Sequence, residues 1–485
     1  MLLEAIAAHA KKHPDRIAYQ NQKEKLSYRQ LWERASALSV WLKKESGPVM
    51  IFGEKEIGMP ISFLACLMAA RPYLPVDPGQ AIKRIEQIYQ QSGAKTILTC
   101  GEYPAAEKLG AVLLEERYRE YEKTGEISLL DNPLRDAYWL FTSGSTGTPK
   151  GVRISLAALE NFVEWMLSIP AIAKCGQGIT VNQSQFSFDL SVADLWPCFA
   201  AGATVWALKR EEQQDLTVLY HALQESSAVR LTCTPSFIRL CLCDEMFSQQ
   251  LMPQLKTIFL CGEVLPSRTV ETLHERFPQL SIINAYGPTE AACAVCAVEV
   301  QERSGTLPVG EVKSAASKLL ILDEDRVPLP EGTPGEIAIV GKSVGNGYVG
   351  AFQGGFGTFA GERLYCTGDK GMIRDGLLWY LGRIDRQIKY KGYRIEPGEI
   401  EAALLCWKEV NAAAVLPIQK AGEVRGLAAI VEWNEKELPL SECKQRLLSA
   451  LPSYMLPKRW IAVEKMPMNE RGKCDFHALE RMLQE

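Results

Sequence analysis

Up to about residue 300 the chain repeats one pattern, a short run of β-branched or apolar residues followed by a longer stretch with apolar residues at helical spacing. "SYRQLWERASALSVWLKK" has the helical spacing, "PVMIFG" reads as a strand, and "ISFLACLMAA" reads as a buried helix ahead of the extended "YLPVDP". The rhythm returns in "GATVWAL" (strand), "LTVLYHALQES" (helix), "VRLTCTP" and "LKTIFLCG" (strands), "SRTVETLHERF" (helix) and "LSIINAYGPTE" (strand into loop). Such alternation implies an α/β fold with parallel sheets covered by helices, and ligands at the carboxyl ends of strands. After about residue 300 the pattern changes. "SKLLILDEDRVPLPEGTPGEIAIVGKSV" is strand and turn, consistent with a small β subdomain. From about Arg386 onward, the helices "EPGEIEAALLCW" and "SECKQRLLSAL" flank the strands "AAAVLPI" and "GLAAIVEW". There is no internal repeat and no low-complexity tract.

At 485 residues the chain exceeds a single hydrophobic core, so two or more domains are expected. Its 47% hydrophobic and 23% charged content suit a globular protein. The net charge of −4 gives no basis for a nucleic-acid or anionic-membrane partner. The amino terminus, "MLLEAIAAHAKKHPDR", breaks its apolar run with Glu4 and carries its basic cluster afterwards, the wrong order for a secretory leader. Nothing approaches the ~20 uninterrupted apolar residues of a membrane span, so a cytoplasmic protein without membrane insertion is expected.

Of the 14 cysteines, Cys293 and Cys296 form a C-x-x-C, and Cys241 lies close to Cys243. A zinc site calls for a second pair or a histidine at ligand spacing, and a redox pair for a thioredoxin-like context. Neither context is visible. "AACAVCAVEV" reads as a buried apolar strand, its thiols serving as small hydrophobes. The five histidines fall in no motif, so no histidine general base is expected.

"FTSGSTGTPKGV", Phe141 to Val152, follows the apolar run "AYWL". It is not a P-loop, which needs G-x-x-x-x-G-K before Ser or Thr, because Pro149 precedes Lys150 and Gly151 follows it. It is not a nucleophile elbow either, since Ser143 stands where G-x-S-x-G needs glycine. What remains is backbone freedom at Gly144, Gly147 and Gly151, with hydroxyls at Thr142, Ser143, Ser145, Thr146 and Thr148. Successive N–H groups turned one way beside hydroxyls suit phosphate oxygens. By composition alone a Ser/Gly linker fits equally, and the place directly after a strand favours the anion cradle. "GNGYVG", Gly345 to Gly350, has the G-x-G-x-x-G spacing, but "AFQGGFGTFAGERLY" behind it opens no helix, so it is not a dinucleotide site.

Six motifs in order, "FTSGSTGTPKG", "FSFDLSVADLW" (Phe186 to Trp196), "NAYGPTE" (Asn284 to Glu290), "YCTGD" (Tyr365 to Asp369), "GRIDRQIKYKGYRIE" (Gly382 to Glu396) and "NERGKCD" (Asn469 to Asp475), resemble the successive core motifs of the adenylate-forming superfamily. The resemblance covers essentially the whole chain. That superfamily includes acyl-CoA synthetases, luciferases and nonribosomal peptide synthetase adenylation domains. Within it, "FSFDLSVADLWP", "TPSFIRLCL", "FLCGEVLP" and "YGPTEA" are most similar to the stand-alone D-alanine:D-alanyl carrier protein ligases of teichoic-acid D-alanylation.

The resemblance implies the adenylate-forming fold, with a large multi-subdomain amino-terminal domain, 1–384, binding ATP and the amino acid. A smaller mobile α+β domain, 385–485, would carry the catalytic lysine, with Asp385 as hinge. It implies ATP and Mg²⁺ as cofactors, D-alanine or another small amino acid as substrate, and a separate phosphopantetheinylated carrier protein as acceptor. Thr142, Ser143, Gly144, Ser145, Thr146 and Gly147 would hold the outgoing phosphates, with Lys150 as a mobile helper; taken alone, Lys150 is a solvent-facing charge. Asn284, Ala285, Tyr286, Gly287, Pro288 and Thr289 would line adenine and the α-phosphate, and Glu290 would act in catalysis by binding Mg²⁺; taken alone, Pro-Thr-Glu caps a helix. Asp369 would accept the ribose hydroxyls beside Tyr380 and Arg383, where a bare Asp and Arg would form a structural ion pair.

Lys473 would touch both the substrate carboxylate and the α-phosphate. The family often has Asn-Gly-Lys here, whereas this chain has Glu470-Arg471-Gly472-Lys473. Asp189 would pair with the α-ammonium, although an Asp before "LSVADLW" is also a good helix N-cap. Cys261 matches a cysteine whose bulk favours the D isomer and a small side chain. Cys293 stands in a further pocket position where relatives often carry a β-branched residue, so an adenylation enzyme of the peptide-synthetase type for another small amino acid remains the alternative. A non-catalytic nucleotide binder is the third reading, against which Glu290 and Lys473 together argue.

Overall fold

The computed structural model describes residues 2–120, 132, 134–144, 148–301, 305–311, 317–420, 423–434, 437–468 and 474–484. The chain forms two compact units, one of residues 1–78, 92–140 and 151–384, the other of 79–91, 141–150 and 385–485.

In the first unit, eight strands among the described residues form a sheet in the order Cys296–Glu299, Ser281–Tyr286, Thr257–Leu260, Arg230–Cys233, Ile179–Asn182, Thr204–Ala207, Ile17–Gln20, Lys25–Ser27. Its inner pairs are parallel and only the two outermost are antiparallel. A second sheet is built around Val49–Phe52, flanked in parallel by Tyr73–Val76 and Thr96–Thr99. "VMIF" and "TIFL" are buried at every position, as strands covered on both faces must be. The helix Gly58–Met68 is apolar all round and all eleven of its residues are buried. It shares a core with the helix Leu190–Ala201, in which Phe63 stacks on Tyr73 at 4.4 Å and Trp196 Nε1 donates to the Tyr73 hydroxyl at 2.9 Å.

The region after residue 300 forms the expected β subdomain, an antiparallel sheet whose long strand Glu362–Arg374 pairs with Gly335–Val340 and with Leu377–Arg383. That register sets Asp369 opposite Arg383.

One expectation fails locally. "AACAVCAVEV" reads as a strand, yet only Cys296–Glu299 is one. Ala292 and Cys293 adopt left-handed φ values of 57° and 81°. The chain must reverse after Ser281–Tyr286 so that Cys296 can pair with Tyr286, and 287–295 make that reversal. Gly287 is required there, because a Cβ would lie 2.5 Å from the Ala294 Cα. From Glu290 to Val295 the turn is buried, so its composition is that of a strand.

The second unit contains a hairpin, Ile388–Tyr390 with Tyr393–Ile395, joined by Lys391 and Gly392 at φ 53° and 78°, the two positive values of a primed turn. Val410–Lys420 pairs antiparallel with Glu423–Trp433, which runs parallel to Arg459–Val463. Ile395, Ile400, Leu404, Leu427 and Leu447 are the centre of this unit's core. Tyr393 and Tyr454 stack at 3.7 Å. Among the described residues no helix is long and apolar enough to cross a membrane.

Candidate active site

In the first unit, Asp189, Cys261 and Tyr286 lie at or just beyond the carboxyl ends of Ile179–Asn182, Thr257–Leu260 and Ser281–Tyr286. These are the positions a parallel sheet offers to a ligand. The Tyr286 hydroxyl donates to Asp369 Oδ2 at 2.7 Å, and Arg383 donates to Asp369 Oδ1 at 2.8 Å and to the Thr367 carbonyl at 3.0 Å. Asp369 is 1% exposed and Arg383 10%, so the pair is largely withdrawn from water. Burial, reinforced by the Asp369 charge, pushes the Tyr286 hydroxyl well above its ordinary range and keeps it a donor. The Tyr380 ring lies 6.3 Å from that of Tyr286, so the structure brings together four residues singled out in sequence. The ion pair expected of a bare Asp and Arg is present. The side chain of Asn284 is committed to structure, donating to the Pro308 carbonyl at 2.7 Å.

The turn after Gly287 places two further residues. Thr289 donates through its hydroxyl to Asp189 Oδ2 at 2.6 Å. Glu290, fully buried, accepts from the Tyr348 hydroxyl at 2.6 Å, and its carbonyl accepts from the Gly345 N–H at 2.9 Å. Asp189 stands at the N-cap position of Leu190–Ala201, but its backbone is helical and its side chain caps nothing. The N-cap reading therefore fails for the carboxylate, which turns to Thr289. Cys261 Sγ lies 4.0 Å from the Cys293 carbonyl, and both thiols are buried. The hydrogen bond with Cys261, then burial, then the Asp189 charge push the Cys293 thiol well above the ordinary range. Tyr348 was not singled out by sequence reasoning. The signal was an aromatic residue inside the rejected "GNGYVG".

In the second unit, the Ser143 hydroxyl donates to the Arg394 carbonyl, and the Gly144 N–H donates to Glu399 Oε2 at 3.2 Å. Lys150 Nζ lies 3.7 Å from Glu396 Oε1 with its side chain 19% exposed, so the solvent-facing reading of Lys150 fails. Thr142 Oγ1 donates to the Lys150 carbonyl at 3.5 Å, and Asp385 accepts from the Gln387 N–H at 3.1 Å. Glu399 is paired with Arg84 at 2.5 Å, both nearly inaccessible. Burial raises the Glu399 carboxyl and Arg84 opposes the rise. Sequence reasoning missed both Glu396 and Glu399. The only trace was the run of three glutamates, Glu396, Glu399 and Glu401, at the start of a helix that is otherwise largely apolar, "RIEPGEIEAALL". Ser145, Thr146, Gly147 and Lys473 lie outside the described residues.

Burial governs several of the other thiols as well. Burial pushes Cys66 up to about 12, and raises Cys233 and Cys241 as well, while Cys243 and Cys406 are exposed. Brief iodoacetamide treatment of the native protein at pH 8 is expected to label Cys243 and Cys406 at least about tenfold faster than Cys261, Cys293 or Cys296, read by peptide mass spectrometry. Equal labelling of Cys293 would contradict its burial.

Residues 6–349 match the family of AMP-binding enzymes. The D-alanine–D-alanyl carrier protein ligase of Bacillus cereus strain Q1 is 38% identical over 98% of this chain and 98% of its own length. The ligase of the same name from Bacillus thuringiensis strain Al Hakam is 37% identical over the same shares. Among solved structures, the Vibrio cholerae adenylation domain AlmE, in complex with glycyl-adenosine-5'-phosphate, aligns over 100% of this chain and 97% of its own, with a TM-score of 0.84 and 24% identity.

Proposed function

The chain belongs to the AMP-binding enzymes, and from that premise we propose that it activates D-alanine with ATP and loads it on a separate carrier protein. A carboxylate is a poor acyl donor at neutral pH. Its oxygen attacks the α-phosphorus of ATP, the bond to the β-phosphate breaks, and pyrophosphate leaves behind an aminoacyl adenylate. The phosphopantetheine thiol of the carrier then forms the thioester, AMP departs, and the thiol proton passes to solvent. Both steps bring anions or electron-rich groups together, so the protein supplies position and charge more than a base.

What carries the amino-acid part of the reading is Asp189. Its carboxylate is oriented by Thr289, its charge acts on the Cys293 thiol, and it is not spent on a helix cap. A carboxylate in such a pocket favours a substrate with an ammonium group over a fatty or aryl acid. Tyr286, Tyr380, Asp369 and Arg383 are assigned to the nucleoside, and Ser143, Gly144 and Lys150 to phosphate. Lys473 is assigned to the charge that builds between carboxylate and α-phosphate. Among the described residues no three His, Cys, Asp or Glu side chains form a metal cage. The buried carboxylate of Glu290 fits Mg²⁺, which takes one or two carboxylates and completes its shell with water and phosphate oxygens. The ion would neutralise phosphate charge there, and Tyr348 keeps the Glu290 carboxylate oriented.

Cys293, where relatives often carry a β-branched side chain, favours a second reading, the same reaction with another small amino acid. Amino-acid-dependent exchange of labelled pyrophosphate into ATP separates the two. D-alanine is expected to exceed glycine, L-alanine and D-serine in kcat/KM by about tenfold or more, the usual worth of one small group in a fitted pocket. Stronger exchange with another amino acid supports the second reading, and none with any member of the panel overturns both.

A further inference from the structure

The helix that starts after Asp189 holds a second carboxylate one turn on. Asp194 is 0% exposed, and its Oδ2 accepts from Asn182 Nδ2 at 3.0 Å. The same Nδ2 lies 3.3 Å from the Ser184 carbonyl. Asn182 Oδ1 in turn accepts from the ammonium of Lys55, which also donates to the Ser184 carbonyl. Lys55 is 1% exposed, and its ammonium lies 4.5 Å from the centre of the Phe186 ring. The Lys55 carbonyl is itself held by the Tyr19 hydroxyl at 3.1 Å and by Asn21 Nδ2 at 3.2 Å. Lys55 follows the strand Val49–Phe52 of one sheet, whereas Asn182 ends a strand of the other. A single side chain thus ties the two sheets at the root of the segment 183–189.

Such an arrangement is a poor source of stability. Taking an ammonium and a carboxylate out of water is costly, and apolar replacements of buried pairs are often neutral or stabilising. Burial pushes the Lys55 ammonium down, opposed first by the Asp194 charge, and pushes the Asp194 carboxyl up, opposed by the Asn182 and Thr232 hydrogen bonds and by the Arg230 and Lys55 charges. Such a network adds little net stability, and its fixed hydrogen bonds act on position instead. What it holds is "QSQFSFD", the segment that delivers Asp189.

We propose that Lys55 is a positioning residue for amino-acid recognition, fixing Asn182 and the Ser184 carbonyl and thereby setting where Asp189 meets the substrate ammonium. This rests on the reading of Asp189 given above. The test is pyrophosphate exchange by the full chain with saturating ATP and varied amino acid, then the converse. Lys55→Met is expected to raise the amino-acid KM about tenfold and to leave the ATP KM within about twofold. Lys55→Gln, which keeps a donor for the Ser184 carbonyl, is expected to recover part of that loss. A merely structural role would lower the active fraction, and so kcat, without separating the two KM values. Should Lys55→Met fail to fold, the isosteric Asp194→Asn is read in the same way, with the amino-acid KM rising about threefold. An unchanged amino-acid KM in a folded variant, or failure of both variants to fold, overturns the proposal. Absence of amino-acid-dependent exchange in the unmodified protein overturns the reading it rests on, and is distinguishable because it occurs before any substitution.

Discussion

Lys473→Ala is expected to slow amino-acid-dependent pyrophosphate exchange about 10²–10³-fold while leaving the unfolding midpoint where it was. The reacting groups are both negative, so the barrier contains a repulsion that only a positive group close to the developing charge can offset. Removing one such preorganised group costs a few kcal/mol of transition-state stabilisation. Because the interaction is made mainly in the transition state, the loss is expected in kcat and in kcat/KM alike, with little change in the KM for either substrate. Thioester formation from a preformed aminoacyl adenylate requires no charge offset of this kind and is expected to continue. Exchange at the unmodified rate in Lys473→Ala would remove this lysine from the reaction.

Asp369→Ala is expected to lower stability by about 3–5 kcal/mol, measured as a shift in urea midpoint at constant slope. The substitution leaves the Arg383 guanidinium, only 10% exposed, without its carboxylate, and takes the acceptor from the Tyr286 hydroxyl. Much of that cost comes from the stranded cation. The double substitution Asp369→Leu with Arg383→Met is therefore expected to be more stable than Asp369→Ala alone, and on the proposed assignment both are expected to lose nucleotide binding. If the single and double variants unfold at the same denaturant concentration, the cost does not come from the stranded cation.

The alternating elements of the first unit were legible because their strands and central helices are buried on every side, so composition and period agree. Gly58–Met68 is the plainest case, an apolar run that can only be a covered helix. The turn through Ala292 and Cys293 was not legible. A buried reversal must be apolar too, and left-handed backbone at an alanine and a cysteine leaves no mark in the residue types. For the candidate site, the motifs pointed to the cluster of Tyr286, Tyr380, Asp369 and Arg383 through resemblance, whereas period and spacing alone gave only an ion pair. The Asp189 side chain illustrates the limit of local rules, since its position favours a cap and its partner is Thr289, 100 residues away. Lys55 with Asn182, and Arg84 with Glu399, are separated by 127 and 315 residues. No local pattern reports such meetings.

The discontinuous make-up of the second unit has a consequence for synthesis. Residues 79–91 and 141–150 leave the ribosome long before 385–485, so Arg84 must wait, solvated, while more than half the polypeptide is still to be translated. The last hundred residues then mature as a late addition to pieces already made, and a fragment beginning at Asp385 would bury the Glu399 carboxylate without its guanidinium. Expressed by itself, that fragment is expected to be soluble only in a loosened state, which places the sensible cut for a truncation elsewhere than at the sequence boundary.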